Sequence, residues 1–327
     1  MNNDRISESK MVDEYGAIGM AMSEEEWDVV FVGHYTRDTI VSAAGTRVVD
    51  GGAFNYGAHV AGRMGLRVAA VTRLAREHFH VVEELRRLGV DVFARATPAS
   101  TCLRIDYPTP DVDRRIITVA SSAGPFIPED VRGLRARAFV VGASMRGEVG
   151  PAVIDELARG TALVAIDAQG FVRVVRNDRL VHAPWPEIQA VLAQVDVLKA
   201  DAVEAEMLTG KADVRAAAQA LADFGPAEIV LTHRDGMLVY AGGRFHEAGF
   251  FPRELVGRSG RGDTCIAAYV ARRLAAGQAQ SGSPAEAAVW AAAVTSLKME
   301  AEGPFRREIG EVEHLIRDRY GADAPSP

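Results

Sequence analysis

Short apolar runs alternate along this chain with helix-patterned segments, and that alternation restricts the folds open to it. The runs fall at 27–33, 66–71, 138–141, 162–166, 195–198 and 228–231. Helical patterns separate them, at 56–64, 77–88, 152–158, 202–208 and 214–224. The runs are nearly continuous in Val, Ile, Leu, Phe and Ala, as strands covered on both faces require. Strand–helix alternation of this kind predicts a mainly parallel sheet with helices on both sides. Gly33 closes the first run, and Gly89 is a C-terminal stop for the helix over 77–88. Beyond Gly262 the chain is alanine-rich and helical, over 263–276, 284–299 and 311–320.

Two stretches break the rhythm. Residues 39–49 and 101–119 are β-rich, carry turn signals (Ala44-Gly45; Pro108-Thr109-Pro110-Asp111) and have no helix between their strands. They predict antiparallel strands standing off the main sheet as a lid. A further β pattern over 237–247 turns at Gly242-Gly243. With no repeat or low-complexity linker, the economical organisation is one domain over 27–320. A disordered leader over 1–26 and a loose tail over 321–327 flank it.

Composition excludes several functions. The formal net charge is -7, which argues against nonspecific nucleic-acid binding. The local cluster Arg132, Arg135 and Arg137 reads as a solvated helix face. Only Cys102 and Cys265 occur, far apart and without metal-ligand spacing, so a reducing, cytoplasmic setting fits. No apolar run reaches the roughly 18 residues a bilayer span needs. The acidic stretch at 23–26 lacks the order of a signal peptide.

The stretch Val256-Gly257-Arg258-Ser259-Gly260-Arg261-Gly262-Asp263-Thr264-Cys265 precedes a helix. Such a turn aims several backbone N–H groups at one spot, beside the positive end of a helix dipole. Gly257 and Gly262 have the spacing of a P-loop, yet Asp263 stands where a P-loop has lysine. An acid beside an anion hole suits a base that takes the proton of an attacking hydroxyl. Helix capping by Asp263 is the other reading of the same residues.

Gly260-Arg261-Gly262-Asp263 resembles the G-A-G-D signature of ribokinase-like (PfkB) carbohydrate kinases. The resemblance implies a three-layer α/β/α sandwich with a small antiparallel β lid. It also implies ATP-dependent transfer of the γ-phosphate to a hydroxyl of a small sugar or polyol. Asp263 is then the catalytic base, with Gly260, Arg261 and Gly262 forming the anion hole. Arg261 replaces a small residue and reaches either phosphate or solvent, solvent being slightly favoured. Gly257 replaces an aspartate, which leaves the family's monovalent-cation site open.

Other segments match the family in order. Asp38 falls where these kinases hold sugar hydroxyls, and an ionised carboxylate accepts from two adjacent hydroxyls. Gly51 and Gly52 match the loop beneath the substrate. Asn55 and Tyr56 fall around a position often held by asparagine. Asp167 resembles a strand-end acid near phosphates and metal, with Arg173 nearby. Asp201 and Glu204 resemble an Asn-x-x-Glu that positions Mg2+ and phosphates, a spacing a capping box also produces. Thr232, Arg234 and Gly236, with Gly257, resemble the nucleotide-binding set, and residues 291–302 are expected to wall the adenine. The resemblance also allows a homodimer through the lid.

Within the family the motifs look most like the myo-inositol kinase branch. Fructokinase-like, ribokinase-like and nucleoside kinase readings stay open, as does a non-catalytic sugar or nucleotide sensor. A dinucleotide oxidoreductase is disfavoured, because no G-x-G-x-x-G follows the first strand.

Overall fold

The computed structural model describes residues 26–109, 115–275 and 282–321. Residues 1–25 of the expected leader, residues 322–327 of the tail, and Pro110-Asp111 of the lid turn lie outside the described residues. In chain order the strands are β1 Trp27–Val32, β2 Thr36–Ser42, β3 Gly45–Gly51, β4 Val68–Leu74, β5 Asp91–Ala96, β6 Thr101–Asp106, β7 Ile116–Ser121 and β8 Ala136–Val141. They continue with β9 Leu163–Asp167, β10 Arg173–Arg176, β11 Arg179–His182, β12 Val197–Asp201, β13 Glu228–Thr232, β14 Gly236–Ala241 and β15 Arg244–Gly249.

Nine strands form the main sheet in the order β15-β14-β13-β12-β9-β8-β1-β4-β5. From β13 to β5 every pairing is parallel. The β13–β14–β15 edge is antiparallel, as the Gly242-Gly243 turn demands. Alternation along β1 explains the layers. Val29 and Phe31 enter the core under the Ala53–Arg63, Arg261–Ala275 and Pro284–Met299 helices. Val30 and Val32 enter the core on the opposite face, with Ile154, Leu192 and Leu221. Burying a side chain such as Phe31 contributes roughly 1.5–3 kcal/mol, and both cores are built from dozens of such residues.

The lid is a second sheet, ordered β10-β11-β7-β6-β2-β3. Its pairings are antiparallel except β2 with β6, which is parallel. The sequence reading covered β2, β3, β6 and β7 but passed over β5 and the β10–β11 hairpin. That hairpin turns at Asn177-Asp178, both at positive φ (48° and 61°), a primed-turn signature hidden among arginines. The last three helices run Arg261–Ala275, Pro284–Met299 and Ile309–Arg319. Among the described residues no helix is long and apolar enough to cross a membrane.

Candidate active site

The C-terminal ends of β1, β8, β9, β12 and β13 lie along one edge of the main sheet, where open α/β folds hold ligands. A cleft of about 420 Å³ opens there. The lid contributes an apolar side, with Leu103, Ile105 and Ile117. The turn from Arg258 to Asp263 forms the opposite side.

That turn is shaped by what surrounds it. Gly260 has φ of +74°, and a methyl group there would collide with the Tyr56 ring. A methyl on Gly262 would lie 2.5 Å from Lys199 Nζ, so the turn presses directly on a buried cation. The helix begins at Arg261, which puts Asp263 inside its first turn instead of at the capping position. Asp263 faces the cleft. Burial pushes its carboxyl up to about 6, Asp167 adds to the rise, and Lys199, Arg173 and Lys298 oppose it.

Asp38, Asn55 and Tyr56 form a group of buried polar side chains at the cleft. Asp38 is buried, and burial pushes it up to about 7, with Thr36 opposing and Asp263 adding to the rise. Its Oδ1 has no hydrogen-bond partner, nor do the buried Tyr56 hydroxyl and Asn55 Oδ1. Buried polar atoms left unpaired are costly, so this cluster is prepared for a ligand that both donates and accepts. Gly52 lines the cleft; Gly51 and Asn55 stand just behind the lining residues.

Six cations line the cleft, Arg115, Arg173, Lys199, Arg234, Arg258 and Arg261, together with the carboxylates Asp38, Asp201 and Asp263. Lys199 donates to Asp167 Oδ2 at 2.8 Å in a buried pair. Burial works against the Lys199 charge, yet Asp167, Glu204 and Asp201 outweigh it and hold the ammonium firmly protonated. Arg173 lies 3.6 Å from Glu204. Glu204 and Asp201 form a reciprocal capping box: the Glu204 N–H donates to Asp201 Oδ1 at 2.8 Å, and Glu204 Oε2 accepts from the Asp201 N–H at 2.9 Å. Burial pushes the Glu204 carboxyl up while Lys199 and Arg173 oppose the rise, and its Oε1 accepts no hydrogen bond but lies 3.6 Å from the Arg173 guanidinium.

Several sequence expectations fall elsewhere in the structure. Arg261 lines the cleft, with its guanidinium 5.9 Å from the Phe250 ring centroid, and does not point away into solvent. Thr232 and Arg234 line the cleft, but Gly236 opens β14 against the Ala248 carbonyl, away from it. Gly257 is buried beneath the turn, its N–H donating to Met299 O at 3.1 Å. Residues 291–302 do not line the cleft; Ala291 to Ser296 are buried in the core. The sequence reading gave no role to Lys199, Arg115, Arg258 or Lys298. For Lys199 the available signal was its place at the end of a strand, one of the positions that reach the ligand edge of a parallel sheet.

A glycine-rich turn with an acid in its first helical turn, set against buried unpaired polar atoms, is the arrangement that a phosphotransferase acting on an alcohol needs. Residues 28–306 match the pfkB family carbohydrate kinases, and the chain belongs to that family. It is a carbohydrate kinase. No curated protein matches the chain. Among solved structures, it is 33% identical, with a TM-score of 0.79, to a pyrophosphate-dependent kinase in the ribokinase family complexed with a pyrophosphate analog and myo-inositol. That match covers 88% of this chain and 99% of the other. At the same 33% identity and TM-score of 0.79 it resembles a pyrophosphate-dependent myo-inositol-1 kinase converted to a myo-inositol-3 kinase, over 89% of this chain and 99% of that one. The ribokinase of Arabidopsis thaliana, complexed with ribose and ATP, shares the fold at 19% identity and a TM-score of 0.70, over 90% of this chain and 99% of that one.

Proposed function

We propose that this protein phosphorylates a hydroxyl of a cyclic polyol of the myo-inositol type, with pyrophosphate as the phosphoryl donor. The observation that carries the donor assignment is the set of six cations lining the cleft, which suits a small, densely charged phosphoryl donor. A likeness at 33% identity to a kinase described as pyrophosphate-dependent supports it. ATP, the donor read from the sequence, is the competing arm of the test.

In this reading Asp38 accepts hydrogen bonds from ring hydroxyls, while Tyr56 completes the floor with Asn55 behind it. Asp263 takes the proton of the attacking hydroxyl. The new bond joins that oxygen to the nearer phosphorus, the bridging P–O bond breaks, and phosphate leaves toward Arg173, Lys199 and Arg234. The N–H groups of the turn hold the equatorial oxygens of the transferring group, which carry the charge in flight. The lid's apolar side keeps water from the same phosphorus.

Mg2+ fits the cleft through Asp201, which lines it, whereas Glu204 stands behind the lining with its Oε1 3.6 Å from Arg173. Bound there it would neutralise charge on the phosphates, and Mg2+ usually keeps waters and takes only one or two carboxylates. Asp167 is less suited to that role, because Lys199 already occupies its Oδ2.

The test is phosphorus NMR of myo-inositol incubated with the protein and Mg2+, with pyrophosphate in one arm and ATP in the other. Inositol phosphate formed from pyrophosphate but not ATP supports the reading. Turnover with ATP alone overturns the donor. No phosphorylation of any polyol with either donor overturns the acceptor.

A further inference from the structure

Lys298, in the last turn of the Pro284–Met299 helix, is a buried ammonium that the chemistry above does not use. Its two hydrogen bonds do not go to a carboxylate. The ammonium donates to Gly257 O at 3.0 Å and to Ser259 O at 2.5 Å. Those are main-chain oxygens of the phosphate turn, 41 and 39 residues upstream. The same ammonium sits 5.4 Å from the Tyr56 ring centroid, within cation–π range.

The backbone on either side is fixed to the same helix end. The N–H groups of Val256 and Gly257 both donate to Met299 O, at 2.9 and 3.1 Å. The turn is therefore stapled at four points: two N–H groups onto one carbonyl, and two carbonyls onto one ammonium. Ser259 O belongs to the same peptide unit as the Gly260 N–H. A cation bonded to that oxygen withdraws electron density from the unit and makes the Gly260 N–H a stronger donor to a phosphate oxygen. In addition, the positive charge lies behind the turn, where it attenuates the repulsion between Asp263 and an incoming anion.

We propose that Lys298 is the tethered cation of the phosphate turn: it positions the turn, polarises its donors and takes the place of a free monovalent cation. Both carbonyl oxygens, of Gly257 and Ser259, are engaged by the ammonium, which leaves them closed to a free cation. Lys298 is a positioning residue, since it touches the turn and not the reacting atoms. The inference rests on the kinase reading for its catalytic consequence, but its structural content is independent of turnover.

Two measurements test it. In thermal unfolding at constant ionic strength, exchanging tetramethylammonium for potassium or ammonium leaves wild-type Tm unchanged. It raises the Tm of Lys298→Ala, because the small ions enter the space at the Gly257 and Ser259 carbonyls. In kinetics with pyrophosphate and myo-inositol, wild-type kcat is flat across the same salts. Lys298→Ala and Lys298→Met lose about 10- to 100-fold, as removal of a positioning group typically does. Ammonium or potassium restores part of that loss for Lys298→Ala but not for the bulkier Lys298→Met.

A wild-type Tm that rises specifically with potassium overturns the proposal, as does Lys298→Ala with no cation response in Tm. If the wild-type protein phosphorylates nothing in any salt, the kinase reading fails, while the unfolding arm still decides whether Lys298 occupies a cation site.

Discussion

Asp263 combines two demands that pull against each other. The proposed base must be ionised at working pH, yet burial raises this carboxyl to about 6, above its ordinary 3.8. For a carboxyl raised in this way the folded state binds the proton more tightly than the unfolded chain. Its contribution to stability is therefore full below about pH 4 and is lost as pH rises through about 6. A rise of that size corresponds to roughly 3 kcal/mol of destabilisation at pH 8. Asp263→Asn is thus expected to raise Tm at pH 8, with the gain shrinking toward pH 5, while kcat falls by about 10²- to 10⁴-fold. Unfolding scans at both pH values check the first part, and steady-state kinetics the second. The acid limb of wild-type kcat/KM should lie near pH 6 to 7 and be steeper than one proton allows, because Asp38, raised to about 7, must ionise too. A flat profile from pH 5 to 8 would count against Asp263 as the base.

At the scale of elements, the decisive contact is between the first turn of the Arg261–Ala275 helix and the end of β12. Gly262 lies within a helix, where alanine is favoured by about 1 kcal/mol. Yet a methyl there would meet Lys199 Nζ, the movable end of a long side chain. Gly262→Ala is expected to fold with little change in Tm while Lys199 shifts away from Asp167. The KM for pyrophosphate should then rise about tenfold, the equivalent of 1.4 kcal/mol, with the polyol KM much less affected. An unchanged donor KM in the folded variant would show that Lys199 has no part in donor binding. This contact also marks the limit of what sequence could show. The glycines of the turn and Asp263 were readable because they are contiguous and precede an alanine-rich helix. Lys199 and Lys298 were not, because a lone basic residue in sequence has no period, spacing or neighbour that separates a buried ligand-facing cation from a surface one. Residues 291–302 were misplaced for a related reason: small residues suit an adenine wall and close helix packing equally, and the packing of the two long helices took them.

For the whole molecule, six cations are gathered in one cleft of a chain whose formal net charge is -7. The donor is an anion and the acceptor is neutral, so ionic strength should divide them. Raising salt from about 0.1 M to 1 M shortens the Debye length from about 10 Å to about 3 Å. The KM for pyrophosphate should climb over that range while the KM for myo-inositol stays nearly flat. Equal sensitivity of both would argue against these cations as the donor site.

The sequence by itself determined the main sheet, its two covering layers, the existence of a β lid, and the turn that carries Asp263. Each rests on local pattern: continuous apolar strands, helical periodicity, turn glycines next to a helix. Tertiary structure alone decided that β2 pairs parallel with β6, that β10 and β11 extend the lid, and that Arg261 faces the cleft. It alone brought Lys298 beneath the phosphate turn. These depend on which distant segments meet, and the meeting is fixed by the burial of two cores on a shared sheet, which no local stretch of residues encodes.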